Sequence, residues 1–136
     1  MKTNEFLKRF FASKTVGYLG GDAVTVQYLR PHAVCADGFV VSIQASQCHY
    51  CAPREDGQID YEQVELGYPS EREEMILDFA EDPDDPTNTV YGYVPVGVVD
   101  EMLEKHGGIT AYRGLNSGKV VKITDEKTSG RFPWVE

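Results

Sequence analysis

The segment 39-FVVSIQAS-46 decides the fold class, because its apolar and β-branched residues carry no internal turn signal and predict a β-strand. The turn 36-ADG-38 lies directly before it. The alternating run 23-AVTVQYL-29, which ends at Pro31, predicts the preceding strand. We therefore expect these two strands to pair as a hairpin.

Further elements are predicted on both sides of this hairpin. Upstream, four apolar residues at helical spacing predict an N-terminal helix from about residue 4 to 14: Phe6, Leu7, Phe10 and Phe11. Downstream, three segments predict strands: 59-IDYEQVELGY-68, 89-TVYGYVPV-96 and 119-KVVKIT-124. The last is expected at a sheet edge, because lysine side chains discourage pairing with another chain.

Two more helices are predicted between the later strands. The first begins at Ser70, which can form a capping box with Glu73, since each side chain bonds to the backbone N–H of the other. The second begins near Pro95 and runs to His106. Between them, 82-DPDDPTN-88 is expected to be a solvated loop, because its prolines lack the N–H that a helix or strand needs.

The predicted order of elements is α β β β α β α β. Strands in hairpin succession favour an α+β fold, with a mostly antiparallel sheet of about four to five strands and two to three helices packed on one face. A chain of 136 residues has the usual size of one domain. We expect its N-terminal helix within residues 1–16, and a C-terminal strand and tail within residues 110–136.

The charge of the chain is concentrated in one block. The net charge is −9, but residues 55–104 carry −15, while residues 1–54 and 105–136 each carry +3. Such a block can contact a basic partner, or it can be a solvated face that only keeps the protein soluble. Its tyrosines are interleaved with acids rather than with basic residues, so direct nucleic-acid binding is disfavoured.

The loop 47-QCHYCAPR-54 raises a second hypothesis, because Cys48 and Cys51 have the spacing of a zinc knuckle or a redox pair. His32 and Cys35 repeat that gap upstream. The strand between the two pairs would separate them by roughly 26 Å, which is too far for one ion. We therefore expect no structural zinc, and no disulfide from Cys35 to either of the other cysteines.

The same loop lacks the features of a reactive thiol site. Pro53 closes it, so no helix follows that could lower the pKa of a thiol. We expect small buried thiols and a partly exposed His49, with Tyr50 and Arg54 as contact residues. An odd number of cysteines favours a reducing cytosol. No catalytic constellation or cofactor motif supports an enzyme, and no apolar run approaches the roughly 18 residues of a membrane span.

Three strings resemble a family of small, poorly characterised proteins carried by bacteriophages and other mobile elements, some of which resemble anti-CRISPR proteins: 42-SIQASQCHYCAPR-54, 64-VELGYPS-70 and 91-YGYVPVGVVDEMLEKHGGI-109. The resemblance spans residues 39–109, about half of the chain, and brings no functional residue with it. It implies a bacterial host cytoplasm, a protein partner and inhibition by occupancy.

These observations predict a non-enzymatic acidic protein that binds and inhibits a basic, nucleic-acid-handling host protein, such as a CRISPR effector subunit, by DNA mimicry. Contact is expected through Tyr50, Arg54 and seven acids: Glu73, Glu74, Asp78, Glu81, Asp82, Asp84 and Asp85. Four of these acids would share a helix face: Glu74, Asp78, Glu81 and Asp82. No cofactor, metal or membrane is expected at this site. The alternative is a small-molecule or metal-binding domain that uses the loop from Cys48 to Arg54.

Overall fold

The fold is built on an antiparallel sheet of six strands, seen in a computed structural model. The structure describes residues 1–10, 14–19, 22–27, 29–57, 59–115 and 117–124, and over residues 14–27 it describes the backbone alone. The strands of the sheet are β3 (His32–Cys35), β4 (Val40–Gln44), β5 (Gln63–Gly67), β6 (Val90–Pro95), β7 (Ile109–Arg113) and β8 (Val120–Lys122). Their spatial order is β6-β5-β4-β3-β7-β8.

Two α-helices and one 3-10 helix accompany the sheet: α1 (Thr3–Arg9), the 3-10 helix Glu74–Phe79, and α2 (Val96–Lys105). Strands β1 (Lys14–Leu19) and β2 (Asp22–Gln27) form a separate antiparallel pair. The α+β prediction is therefore confirmed, although the main sheet has one strand more than the upper predicted number.

The hydrophobic core lies between one face of the sheet and the helices. Alternate residues of β4 and β5 are buried in this core, which places the residues between them on the opposite face. We call it the helix-free face, because none of the helices in the described segments packs there. The helices add Phe6, Leu7 and Phe10 from the α1 segment, and Val99, Met102 and Leu103 from α2. The apolar stripe predicted for the N-terminal helix is thus confirmed where its residues are described.

The start of α1 docks on α2 through Thr3 and Asp100. The Thr3 backbone amide donates to Asp100 Oδ1 at 3.0 Å, and its hydroxyl donates to the same oxygen at 2.7 Å. Thr3 is fully buried. This contact joins residues 97 positions apart in the chain and closes the helical layer over the core.

The predicted hairpin of residues 23–29 with 39–46 is wrong. Strand β2 pairs with β1, and β4 pairs instead with β3, which follows Pro31 and ends at the turn before Phe39. Strand β3 also pairs with β7, so it lies in the middle of the sheet. The predicted edge strand at the C-terminal side is confirmed, because β8 forms one edge and all its residues are exposed.

Helix boundaries differ from the predicted ones in two places. Helix α1 ends at Arg9, and residues 11–13 of the predicted helix lie outside the described part of the chain. The predicted helix at Ser70 is a 3-10 helix that begins at Glu74. The segment available for this helix is short, because Glu81 already donates its amide to Val90 of β6. 3-10 geometry suits such short segments.

Candidate functional site

Tight local hydrogen bonds hold the loop after β4. The Ser46 hydroxyl accepts the Cys48 amide at 3.0 Å and contacts His49 Nδ1 at 2.6 Å. The buried Cys51 thiol donates to the Ser46 carbonyl oxygen at 3.1 Å. Arg54 Nε donates to the Gln47 carbonyl oxygen at 3.0 Å. The loop therefore presents His49, Tyr50 and Arg54 from a fixed backbone.

The fold does not bring together the three cysteines that were considered as zinc ligands or as a redox pair. All three are free, and Cys35 and Cys51 are buried while Cys48 is exposed. Burial raises the pKa of Cys35 to about 11 and also raises the pKa of Cys51, so neither thiol is a reactive thiolate near neutral pH. The prediction of buried thiols is thus confirmed for these two and wrong for Cys48.

The strand-length argument against a shared zinc site holds for Cys35 but not for His32. Because β3 and β4 form a hairpin, His32 returns toward the end of β4, while Cys35 stays at the turn. His32 and His49 consequently line the same cavity. Across the described residues, no three His, Cys, Asp or Glu side chains are placed to hold one metal ion, and the absence of zinc stays a prediction.

Three exposed tyrosines mark the β5–β6 side of the sheet. Tyr50 and Tyr93 have ring centroids 5.8 Å apart, and the Arg54 guanidinium lies 5.7 Å from the Tyr50 ring. Tyr68 and Tyr93 have positive φ values of 51° and 54°, a left-handed conformation that costs a residue other than glycine about 1–2 kcal/mol. The rings of both are about half exposed, so core packing does not account for this strain.

A β-bulge in β6 positions Tyr93. Val64 pairs with Val94 and Leu66 with Tyr91, so Gly92 and Tyr93 together stand opposite the single residue Glu65. The Tyr93 amide donates to the Tyr50 carbonyl oxygen at 2.9 Å. A side chain at position 92 would place its Cβ 3.2 Å from Tyr50 Cβ, and glycine there lets the loop pack on the bulge.

The acids predicted to meet a partner divide into two sets. Six are exposed and form what we call the acidic surface: Glu74, Asp78, Glu81, Asp82, Asp84 and Asp85. They do not share one α-helical face as predicted, because the 3-10 helix ends at Phe79 and the last four lie in the following turns. Asp82 Oδ1 accepts the Asp84 amide at 3.1 Å, which fixes the loop from within.

Glu73 is buried, and its predicted partner contact is therefore wrong. Only 1% of its surface is exposed. Its carboxylate accepts bonds from Lys105 Nζ at 2.8 Å and pairs with His106 Nε2 at 2.8 Å. The predicted capping box is absent as well, because the Ser70 hydroxyl accepts the Val40 amide while Glu73 itself caps the 3-10 helix.

The glutamate adjoining the tyrosines connects them to the acidic surface. Glu65, on β5, accepts the Tyr50 backbone amide. Burial raises the pKa of Glu65, and repulsion by the Glu81 carboxylate adds to that rise. The Glu81 amide donates to the Val90 carbonyl oxygen of β6, so the acidic surface adjoins at Glu81 the strand that carries Tyr93. Sequence spacing could not reveal this arrangement.

A cavity of about 210 Å³ opens on the helix-free face of the sheet beside the same loop. Its polar lining comes from neighbouring strands and the loop: His32, Ser42, Gln44, His49 and Glu65. A wider cleft of about 600 Å³ lies between the first residues and α2. Of its charged lining, Lys2, Glu101 and Glu104 are exposed. The half-buried Asp100 already accepts two hydrogen bonds from Thr3, so the cleft offers a ligand few desolvated polar groups.

Ser46, His49 and Glu65 resemble a serine–histidine–acid arrangement, but the serine cannot act as a nucleophile. Ser46 is fully buried, and its oxygen already accepts the Cys48 amide. Burial, followed by the charge of Arg30, lowers the pKa of His49 to about 4. His49 is thus a neutral imidazole at neutral pH that Ser46 holds in place.

Comparison with known proteins gave no match to a protein-family model, to a curated protein or to a solved structure. The resemblance to phage-borne proteins and the cytoplasmic location therefore stay predictions. Within the described segments, no helix combines the length and the apolar character needed to cross a membrane.

Proposed function

We propose that this protein is a non-enzymatic binding domain that inhibits a basic, nucleic-acid-handling host protein by occupying its binding surface. The contact surface combines Tyr50, Tyr68 and Tyr93 with the acidic surface beside them. Protein interfaces commonly have aromatic anchors surrounded by a polar rim. Clustered carboxylates can occupy a groove that otherwise holds DNA phosphates, as DNA mimicry requires.

The observation that carries this proposal is the strained backbone of Tyr68 and Tyr93. Strain persists where the surrounding structure enforces it, and it concentrates at sites of function. Both residues are about half exposed, and neither belongs to the hydrophobic core. A partner that buries these rings would explain why the strained backbone that exposes them is kept.

The acidic contribution is tested by association kinetics. A partner is first captured from nuclease-treated bacterial lysate and identified by mass spectrometry. Asp82, Asp84 and Asp85 are then changed together to Asn, which keeps the side-chain hydrogen bonds of the loop. We expect association to slow roughly tenfold at low salt, and the difference to shrink at high salt, because charges steer encounter.

A matched control removes the same charge elsewhere. Glu62, Glu101 and Glu104 are exposed acids outside the acidic surface, and their joint change to Gln should leave the association rate near that of the parent. Equal slowing in both triple variants would show a general effect of net charge and would contradict DNA mimicry by this surface.

The tyrosine contribution is tested by relieving the strain. Tyr93→Gly relieves the positive-φ strain, while the greater freedom of glycine in the unfolded chain opposes this gain, so we expect thermal stability to change little. Binding of the captured partner should weaken at least tenfold, as for an aromatic anchor. Retained affinity in the folded Tyr93→Gly variant would show that Tyr93 is not part of the contact surface.

A further inference from the structure

The cavity on the helix-free face carries polar groups that the proposed contact surface leaves unused. His32 Nδ1 contacts Arg113 Nη2 at 2.9 Å. A guanidinium can only donate, so Nδ1 of His32 is the acceptor and the proton of the neutral ring lies on Nε2. Burial, followed by the charge of Arg113, lowers the pKa of His32 and keeps the ring neutral.

His49 presents the same form of imidazole to the cavity. Its Nε2 lies 4.0 Å from Glu65 Oε2. A carboxylate at that distance favours the tautomer with its proton on Nε2, because the alternative would direct a ring lone pair at a negative charge. Ser46 then donates to Nδ1. The cavity is therefore lined by two neutral imidazoles, each with an N–H group on Nε2.

A gap separates the donor and the acceptor at the centre of this site. The 4.0 Å from His49 Nε2 to Glu65 Oε2 exceeds the length of a direct hydrogen bond. One ligand group that accepts and donates side by side would bridge the two atoms. The Ser42 hydroxyl accepts the Gln44 amide group at 3.2 Å, and its own proton has no acceptor among the described residues, which supplies a further donor.

The size and charge of the cavity restrict the ligand. A volume of about 210 Å³ is below that of sites for drug-sized molecules. The remaining lining is largely apolar, with Leu29, Val90 and Leu115. Tyr68, a residue of the proposed contact surface, also lines the cavity. Moving a charged molecule from water into such surroundings is costly. A small uncharged ring therefore fits better than an ion.

We propose that this cavity binds a small cyclic amide, with the amide N–H donating to Glu65 and the amide carbonyl accepting from His49 Nε2. A small ring holds its amide in the cis form, so the N–H and the C=O point to the same side, as the gap between His49 and Glu65 demands. The edge of a pyrimidine or purine base carries this pair. The ring itself would lie against the apolar lining.

Uracil is a suitable probe, and 1,3-dimethyluracil is its matched control because its methyl groups replace both N–H donors. Binding is followed in the full chain by NMR of the His32 and His49 ring resonances. We expect saturable shifts with millimolar uracil and at least tenfold weaker binding of the dimethyl compound. Equal binding of both compounds, or no shift with uracil, would overturn the proposal.

Protein variants provide an independent test. Glu65→Gln keeps the shape but weakens the acceptor, so uracil should bind roughly tenfold more weakly. Glu62→Gln, an exposed neighbour outside the cavity, should bind like the parent. If Glu65→Gln does not fold, the comparison of uracil with 1,3-dimethyluracil on the parent protein still tests the proposal. Shifts of both rings by acetate but not by uracil would indicate an anion site and would overturn the proposal.

Discussion

His106 and Glu73 form a charged pair within the protein interior. His106 Nδ1 lies 2.6 Å from Asp37 Oδ2, and its Nε2 lies 2.8 Å from Glu73 Oε2. The ring stacks on Phe39 with centroids 4.0 Å apart. A carboxylate at each nitrogen favours the imidazolium form of the ring. It ties the β3–β4 turn and the segment before the 3-10 helix to the end of α2.

Removing the Glu73 carboxylate should destabilise the fold. Glu73→Ala removes the carboxylate at His106 Nε2, and breaking a buried pair costs about 3 kcal/mol or more. The exposed neighbour change Glu74→Ala should alter the free energy of unfolding by less than about 0.5 kcal/mol. Urea unfolding of both variants measures the difference, and similar losses would contradict the buried role of Glu73.

The same pair predicts a pH dependence of stability. Burial alone would lower the pKa of His106, but its hydrogen bonds to Glu73 and Asp37 outweigh burial and raise it. Burial would raise the pKa of Glu73, but bonds from Lys105 and His106 lower it. The His106 contribution is complete below its unfolded pKa of about 6.5 and is lost as pH rises through the raised folded value.

The Glu73 contribution has the opposite sign. It is complete above the unfolded pKa of about 4.5 and is lost as pH falls through the lowered folded value. The pair therefore stabilises most between these limits. We expect the stability difference between parent and His106→Gln to be larger at pH 5.5 than at pH 9. Parallel curves over this range would show that folding does not raise the pKa of His106.

At the scale of elements, the end of α2 depends on one glycine. Gly107 has a φ of +90°, and a Cβ there would lie 2.8 Å from Ala36 Cβ in the β3–β4 turn. Gly107→Ala should therefore destabilise by about 2 kcal/mol or more, from backbone strain and the clash together. Gly97→Ala, in the first turn of α2 with open space around it, should stabilise by up to about 1 kcal/mol. Thermal unfolding compares the two, and equal effects would contradict this account.

Local signals explain which elements were predictable. Helix α2 could be predicted from local sequence alone, because an apolar stripe lies between Pro95 and Gly107. Strands β3 and β7 have four and five residues, and each depends on pairing with the other across the whole middle of the chain. Glu73 was wrongly predicted to contact a partner because its burial also depends on distant residues: its partners Lys105 and His106 are 32 and 33 residues away.

The candidate sites were predictable only in part. Composition indicated the acidic surface, and the loop sequence indicated Tyr50 and Arg54 as contact residues. The strained tyrosines depend on a bulge between β5 and β6, and the cavity depends on a hairpin that brings His32 back toward His49. Both arise from strand register, which no short sequence pattern specifies.

At the scale of the whole molecule, charge opposes folding. A net charge of −9 with most acids in one block creates self-repulsion in the compact state. The Asn variant of Asp82, Asp84 and Asp85 should therefore melt about 3–5 °C above the parent at low salt, a gain of about 1 kcal/mol. The difference should narrow in 0.5 M NaCl, since salt at about that level screens exposed charges. Equal melting temperatures at low salt would show that these carboxylates do not strain the fold.

The contact between Thr3 and Asp100 has a consequence for biosynthesis. A ribosome adds roughly 5–20 residues per second, so the start of the chain waits about 5–20 s before its partner on α2 exists. During that interval Phe6, Leu7 and Phe10 have no complete core to enter, and a nascent chain that stalls before α2 presents them to chaperones and proteases. A copy that ends before α2 therefore keeps these apolar side chains without the helix that covers them in the folded protein.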